Sequence, residues 1–370
     1  MTVNPPFRAD IVGSFLRPAE LTRARARHAA GELGTAELRE VEDAAVVALV
    51  TAQAKAGLQV ATDGEFRRSW WHFDYFGMLD GVEVVELDHG IQFQGVQTRP
   101  LGLHISEAIR FPQNHPMLEH FRFLKPLAEQ TGVQPKISIP APTVLHFRLE
   151  QESVDPAAYA DREDLFEDLA ASYRDAVKAF YDAGCRYLQF DDTAWAYLCS
   201  PAELAKAEAR GTRTENLAER YAALINASLR DKPEDMTITT HVCRGNFRST
   251  WISSGGYEPI AEQLLGECAY DGYFLEYDSE RAGGFDPLRF LPTGEKVVEL
   301  GLITTKTGEL EDRGELRKRI DEAARIVPLE QLALSPQCGF ASTEEGNDLT
   351  EAQQWAKVES VVELAREVWG

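Results

Sequence analysis

Short apolar runs, each closed by a polar or turn-forming cluster and most followed by a helical stretch, recur eight times along this chain. They lie at 10–15, 58–62, 135–139, 187–190, 236–240, 272–275, 296–303 and 332–334. Between them the apolar period changes from strand-like to helical. Leu38, Val41, Ala45, Ala48, Leu49 and Ala52 mark one helix face that stops at Gly57. Leu165, Leu169, Tyr173, Val177 and Phe180 mark another over 165–183, with Gly184 as its stop. Pro18 opens a helical stretch, Ser200-Pro201 reads as an N-cap and first turn, a helix covers roughly 214–229, and Trp355, Val358, Val362, Ala365 and Trp369 line a final one. Strands separated by helices must run parallel, and eight such units predict an α/β fold, a (β/α)8 TIM barrel. A doubly wound open sheet is the structural rival. Residues 82–116 break the rhythm, alternating like a hairpin, and are read as a β-arm inserted into a single domain covering 1–370.

Polar residues favour the barrel, because they gather where the strand-like runs end: Gly13-Ser14, Asp63-Gly64-Glu65, Asp191-Asp192, His241 and Cys243, Glu276, and Cys338. That is the face on which barrel enzymes keep their chemistry. Side chains two apart on a strand share a face, so His241 and Cys243 converge, as metal ligands do. From spacing alone, ordinary buried cysteines and a hydrogen-bonded loop histidine explain the same residues. Cys185, Cys199 and Cys268 read as small core residues. Glu65 is either a binding carboxylate or a salt-bridge partner of Arg67 or Arg68. Asp191 and Asp192 are strand neighbours, so only one faces the mouth, and Asp191 is the choice here.

A formal charge of −22 argues against nucleic acid and anionic membranes as partners. No apolar run has the length of a membrane span, and Met1 to Pro6 lack the apolar core of a leader. Five cysteines in such a chain suit reduced thiols or metal ligands, which gives a cytoplasmic expectation.

The strings THVCRGNF, FLEYDSERAG and LSPQCGF, together with DIVGSF, TDGEFRRSWW and LQFDD, resemble motifs of the catalytic barrel of cobalamin-independent methionine synthase, in the same order from about Asp10 to Phe340. The resemblance implies a zinc ion on His241, Cys243, Glu276 and Cys338. It implies transfer of a methyl group from 5-methyltetrahydrofolate to homocysteine, giving methionine. Glu65 and Asp191 correspond to the groups that hold the amino acid's ammonium, and Ser14 and the backbone at Gly13 to those that hold its carboxylate. Aromatic residues Trp70, Trp71, Phe73, Tyr75, Phe76 and Trp195 offer stacking surfaces for a flat pterin, or else pack helices onto the barrel.

The match departs in two places. Full-length members of the family have two barrels and this chain matches the catalytic one, which places it nearest the single-barrel, stand-alone relatives. The family's histidine after strand seven, thought to protonate the leaving nitrogen, has no counterpart in 301–308, where Lys306 is either a substitute contact or a surface lysine. Alternatives are another zinc thiol alkyltransferase such as an epoxyalkane:coenzyme M transferase, a non-catalytic thiol-binding barrel, or a metal-free glycosidase. Coenzyme M carries a sulfonate and no ammonium, which fits Glu65 and Asp191 less well than homocysteine does.

Overall fold

The computed structural model describes residues 5–150 and 152–370; residues 1–4, part of the stretch read above for a leader, lie outside them. In chain order the strands are β1 (Val60–Ala61), β2 (Asp80–Glu86), β3 (Leu101–Arg110), β4 (Gln134–Pro135), β5 (Ile137–Pro140), β6 (Tyr187–Asp192), β7 (Thr237–Val242), β8 (Gly272–Glu276), β9 (Val297–Ile303) and β10 (Leu332–Pro336). β5 to β10 form one sheet in sequence order, every pair parallel. β1 pairs parallel with β4, which leads into β5.

The segment predicted as the first strand is extended without a regular ladder of its own, yet it closes the circuit. Ala9 bridges Leu334 and Ser14 bridges Gly64, both parallel. Asp10 N donates to Leu334 O at 3.1 Å and Phe15 N to Gly64 O at 3.1 Å. Hydrogen bonding therefore runs from β10 through residues 9–14 to β1, β4 and β5 and back around the sheet, an eight-membered parallel circuit.

Strands in such a circuit are covered on both faces, so they are buried along their length rather than on alternate residues. All seven residues of β9 are buried. The helix Leu165–Asp182 buries Leu165, Leu169, Tyr173, Val177 and Phe180, the stripe read from sequence, and Gly184 follows at φ +94°, where a side chain is disfavoured. Helices Pro116–Thr131 and Pro142–Arg148 lie where an arm end and a strand end were expected. Proline in the first turn costs a helix nothing, which is why Pro116 and Pro142 open helices rather than interrupt them.

Two connections carry no α-helix. From β7 to β8 the chain passes through short turns at Glu258–Ile260 and a π-helical stretch at Glu262–Glu267. From β8 to β9 it uses 3₁₀ turns at Glu280–Ala282 and Asp286–Phe290. Gly255, Gly256, Pro259, Gly283, Gly284, Pro287 and Pro292 deny these segments an uninterrupted helix.

β2 and β3 pair antiparallel as a ribbon. Its loop returns over the open end of the sheet, where Gln94 N donates to Trp251 O at 3.1 Å and the Phe93 and Phe247 rings lie 5.3 Å apart. The ribbon runs from Asp80 to Arg110, and Pro116, assigned to its end from sequence, belongs to the next helix. Among the described residues no helix is long and apolar enough to cross a membrane.

Candidate metal and substrate site

At the C-terminal end of the sheet, β7 carries His241 as its penultimate residue and Cys243 one residue past its end. Cys243 N donates to Asp192 O at 2.8 Å, which continues the β6–β7 pairing and fixes where the sulfur points. β8 ends on Glu276, and Cys338 follows β10 by two residues. A glycine at 301, on β9 between them, permits this closeness. A Cβ there would meet Leu275 O at 2.7 Å and Gln337 Cα at 2.8 Å.

One ligand atom from each of His241, Cys243, Glu276 and Cys338 lies within 4.8 Å of the others, and all four residues are buried. The two sulfurs are 3.6 Å apart. Two sulfurs sharing a tetrahedral ion at about 2.3 Å stand roughly 3.8 Å from each other, so the spacing fits. Neither ring nitrogen of His241 has a hydrogen-bond partner, nor does Glu276 Oε2. Buried polar atoms are rarely left so, and a shared cation would satisfy one ring nitrogen of His241 and Glu276 Oε2 together. Glu276 Oε1 accepts from Arg244 N at 2.8 Å, which aims the other oxygen at the group. The donor set of one imidazole, two thiols and one carboxylate suits zinc.

The group is electrostatically tense. The hydrogen bond from Cys243 holds the Cys338 thiol well below its ordinary value against the pull of burial, and the same bond, with burial, drives Cys243 well above it. Burial opposes charge on His241, but the nearby Cys338, Asp191 and Glu276 together raise its affinity for a proton.

Beside this group lies a cavity lined by Ser14, Glu65, Asp191, His241, Cys243 and Cys338. Glu65 sits there at φ +60°, held by its own N–H donating to Asp63 Oδ1 at 2.9 Å and by Arg17 Nη2 donating to its carbonyl at 2.8 Å. Ser138 Oγ donates to Glu65 Oε1 at 3.2 Å, while Arg68 Nη1 stands 3.7 Å from Oε2. Burial pushes the Glu65 carboxyl up to about 7, with Arg68 opposing and Asp191 adding to the shift. Glu65 thus faces the cavity and has Arg68, one of the two expected ion-pair partners, beside it.

Asp191 accepts from Gln189 Nε2 at 2.7 Å, and burial raises its pKa despite the neighbouring His241. Asp192 turns the other way, taking the Thr143 hydroxyl and Ala194 N. Gly13 does not line the cavity itself, but a Cβ on it would lie 3.9 Å from Glu65 Oε1.

Trp195 departs from its expected place. It is fully buried on the helix Ala194–Leu198, edge-on to Tyr221 at 6.2 Å, and does not line the cavity. Its ring meets Tyr221 of the helix Leu217–Leu229, while Tyr197 of the same short helix takes the place on the cavity wall. Trp70 and Trp71 do line the cavity, whereas Tyr75 and Phe76 belong to the core. Cys185, Cys199 and Cys268 are buried away from the four-residue group. Lys306 is no surface lysine: it is 8% exposed, with Nζ 3.2 Å from Asn246 Oδ1 and 3.4 Å from Gly245 O.

The remaining wall has residues that sequence reasoning did not single out: His72, Arg148, Tyr197, and Ile91 and Phe93 from the ribbon loop. His72, Ile91 and Phe93 lie outside the regular elements, where no periodicity places them, and Arg148 and Tyr197 lie on helices of seven and five residues, too short to show one. The one available signal was the position of His72 shortly after the strand-two motif.

The sequence profile of the family described as cobalamin-independent synthase, catalytic domain, matches residues 7–366. An uncharacterised Bacillus subtilis protein, YxjG, is 49% identical over 367 residues, covering 99% of this chain and 96% of its own. A solved structure from Listeria monocytogenes, described as a candidate vitamin-B12 independent methionine synthase, is 43% identical with a TM-score of 0.78, covering 99% of this chain and 98% of its own. A protein named methionine synthase from Saccharolobus solfataricus is 23% identical over 346 residues, covering 92% of this chain and 90% of its own.

Proposed function

Because the chain belongs to the cobalamin-independent synthase catalytic-domain family, we propose that residues 1–370 form one domain acting as a zinc-dependent S-methyltransferase that makes methionine from homocysteine and 5-methyltetrahydrofolate. The observation that carries this reading is the shared location of two functions. A buried His–Cys–Glu–Cys group and a pair of buried carboxylates face one cavity. A thiol with an ammonium a few bonds away matches that pairing.

His241, Cys243, Glu276 and Cys338 are the residues that would hold zinc. When bound, it supplies the positive charge that keeps an acceptor thiol deprotonated at neutral pH. Glu65 and Asp191 bind the ammonium, and that cation in turn favours the ionised form of both carboxyls. Ser14 Oγ and the backbone at Gly13 receive the carboxylate. In the reaction the methyl carbon leaves a nitrogen of the donor and bonds to sulfur. The thiol gives up a proton, and the leaving nitrogen takes one.

Lys306 occupies part of the stretch in which the family's histidine is absent, as a buried cation next to the metal-ligating loop. Its place behind Gly245 and Asn246 supports a role in balancing the negative charge of the thiols and Glu276, not in touching the donor. The inserted ribbon, on this reading, screens the cavity from water by laying Ile91 and Phe93 over it.

The test is incubation of zinc-loaded protein with homocysteine and 5-methyltetrahydrofolate, as mono- and triglutamate, with methionine read by mass spectrometry. Methionine formation that is lost on chelation and restored by zinc is expected. No methionine with metal-replete protein would remove the reading.

A further inference from the structure

The cavity beside the sulfurs measures about 30 Å³. That is room for roughly one or two waters and not for an amino acid thiol, so anything larger has to displace part of the wall. The loop between β2 and β3 supplies Ile91 and Phe93 to that wall. Beyond it lies a groove of about 370 Å³, and Ile91 and Arg148 line both spaces. Lifting the loop would remove part of the partition and leave one continuous site of the size small-molecule ligands occupy.

The loop is a unit in itself. Ile91 and Phe93 turn to the cavity, while the alternate residues Gln92 and Gln94 are exposed. Thr98 N donates to Ile91 O at 3.1 Å, Ile91 N to Thr98 Oγ1 at 2.8 Å and Phe93 N to Val96 O at 2.9 Å. Gly90 lets the two sides close, since a Cβ there would meet Thr98 O at 2.1 Å. At the neck, next to the end of the β2–β3 ladder, Leu87 N donates to Pro100 O at 2.8 Å.

Its ties to the barrel are of another kind. Gln94 N donates to Trp251 O, and the Phe93 ring packs on Phe247. Arg99 Nη2 donates to Glu344 Oε1 at 2.7 Å, and its guanidinium lies 5.6 Å from the centre of the Trp70 ring. Glu344 is fixed from the barrel side, where its N–H donates to Ser69 O at 2.9 Å and its Oε2 accepts from Ser69 Oγ at 3.3 Å. The Arg99 and Glu344 side chains are 46% and 32% exposed, and an ion pair so open to water holds weakly and releases readily.

We propose that residues 88–99 form a lid that lifts from the barrel mouth as one piece about the Leu87–Pro100 neck, with the Arg99–Glu344 pair as its latch and the Phe93 ring, seated on Phe247, as its plug. The lid governs entry of any molecule larger than water, so it does not rest on which reaction follows.

The experiment is residue-resolved hydrogen exchange, corrected for intrinsic rates, on the zinc-loaded protein without substrate. Wild type is compared with R99Q, E344Q and F93A. The Gln94 amide bonds across the gap and reports lifting, whereas the amides of Ile91, Phe93 and Thr98 bond within the loop and report its unfolding. Gln94 is expected to exchange about tenfold or more faster than those three, and faster still than the amides of β6 to β9. R99Q and E344Q should each speed Gln94 about twofold to fivefold, the range of an exposed ion pair, and leave the three internal amides unchanged. About 1 M NaCl should speed Gln94 similarly in wild type and not in R99Q. F93A should speed it about tenfold or more, through loss of the buried ring and its aromatic partner. Any of three results overturns the proposal: Gln94 as slow as the barrel strands, Gln94 exchanging in step with the internal amides, or Gln94 unaltered in both R99Q and E344Q. Exchange is read without thiol or methyl donor, so its outcome and that of the methionine assay stand or fall separately.

Discussion

The two ends of the barrel interior hold comparable densities of buried titratable groups and handle them in opposite ways. At the floor, Lys136 Nζ donates to Asp10 Oδ1 at 3.1 Å and to Ile11 O at 2.6 Å, and the Tyr187 hydroxyl donates to Asp10 Oδ2 at 2.7 Å. Lys136 also lies 4.0 Å from the centre of the Phe274 ring. The carboxyl left over, Glu299, is raised well above its ordinary pKa by burial and by Asp10, with Lys136 opposing, which favours its neutral form. At the floor the charged pair Lys136–Asp10 is thus matched internally, while both Glu299 oxygens are buried without a hydrogen-bond partner. At the mouth, His241, Glu276 Oε2 and Glu65 Oε2 have no hydrogen-bond partner, and the two sulfurs lie 3.6 Å apart. Internal pairing makes a stable plug, whereas unmet donors and acceptors make a site that something else must complete.

The largest expected effect breaks the mouth and spares the floor. Chelation, or C243S, should take zinc from near one equivalent to a small fraction of it. Methionine formation should then fall roughly a thousandfold or more, about 4 kcal/mol in the barrier. Elemental analysis and a methionine assay check both, and full activity in C243S would refute the ligand assignment.

The reverse experiment is K136M. It strips Asp10 of its buried partner and should cost about 3–5 kcal/mol of folding stability, read from the urea midpoint. Zinc content per folded chain and the KM for homocysteine should not change. If they do, the two ends are coupled and the contrast fails.

A smaller effect is expected from E65Q. Loss of a charged contact to the ammonium should raise the KM for homocysteine roughly tenfold to a hundredfold. The Glu65 carboxyl, pushed up to about 7 by burial, is neutral below that value and charged above it. In wild type the KM should therefore fall as pH rises from about 6 to about 8, and in E65Q this dependence should flatten. Its folding linkage has the opposite sign. A raised folded-state pKa stabilises the folded chain below the ordinary carboxyl value of 4.5, and that contribution is lost as pH rises through about 7.

The smallest effect sharpens the floor. E299Q replaces an acid whose neutral form burial and Asp10 favour by a neutral isostere, so stability should change by less than about 1 kcal/mol. A large loss would mean that Glu299 is ionised and that the floor is not self-contained.

Much of this was legible in the chain itself. Parallel strands covered on both faces form near-continuous apolar runs, so β9, interrupted only by Glu299 and Gly301, reads from sequence almost to the residue. The residues at strand ends were legible for the same reason, because polar side chains interrupt the apolar runs where the strands stop. The helices Pro116–Thr131 and Pro142–Arg148 were not, since a proline that opens a helix and one that prevents it look alike in one dimension.

What the sequence determined by itself is the repeating unit and the chemistry at each strand end: a thiol and an imidazole after one run, a carboxylate after the next, a second thiol after the last. Only closure of the sheet decided that Cys243 and Cys338, 95 positions apart, would lie 3.6 Å from each other. The tertiary structure likewise decided that Trp195 faces a neighbouring helix, that Lys306 is buried, and that Arg148 joins a groove to the cavity. The physical reason is that hydrophobic periodicity records which face of an element is covered. It carries no information about which covered faces meet, or about loops, whose positions follow from the packing beneath them.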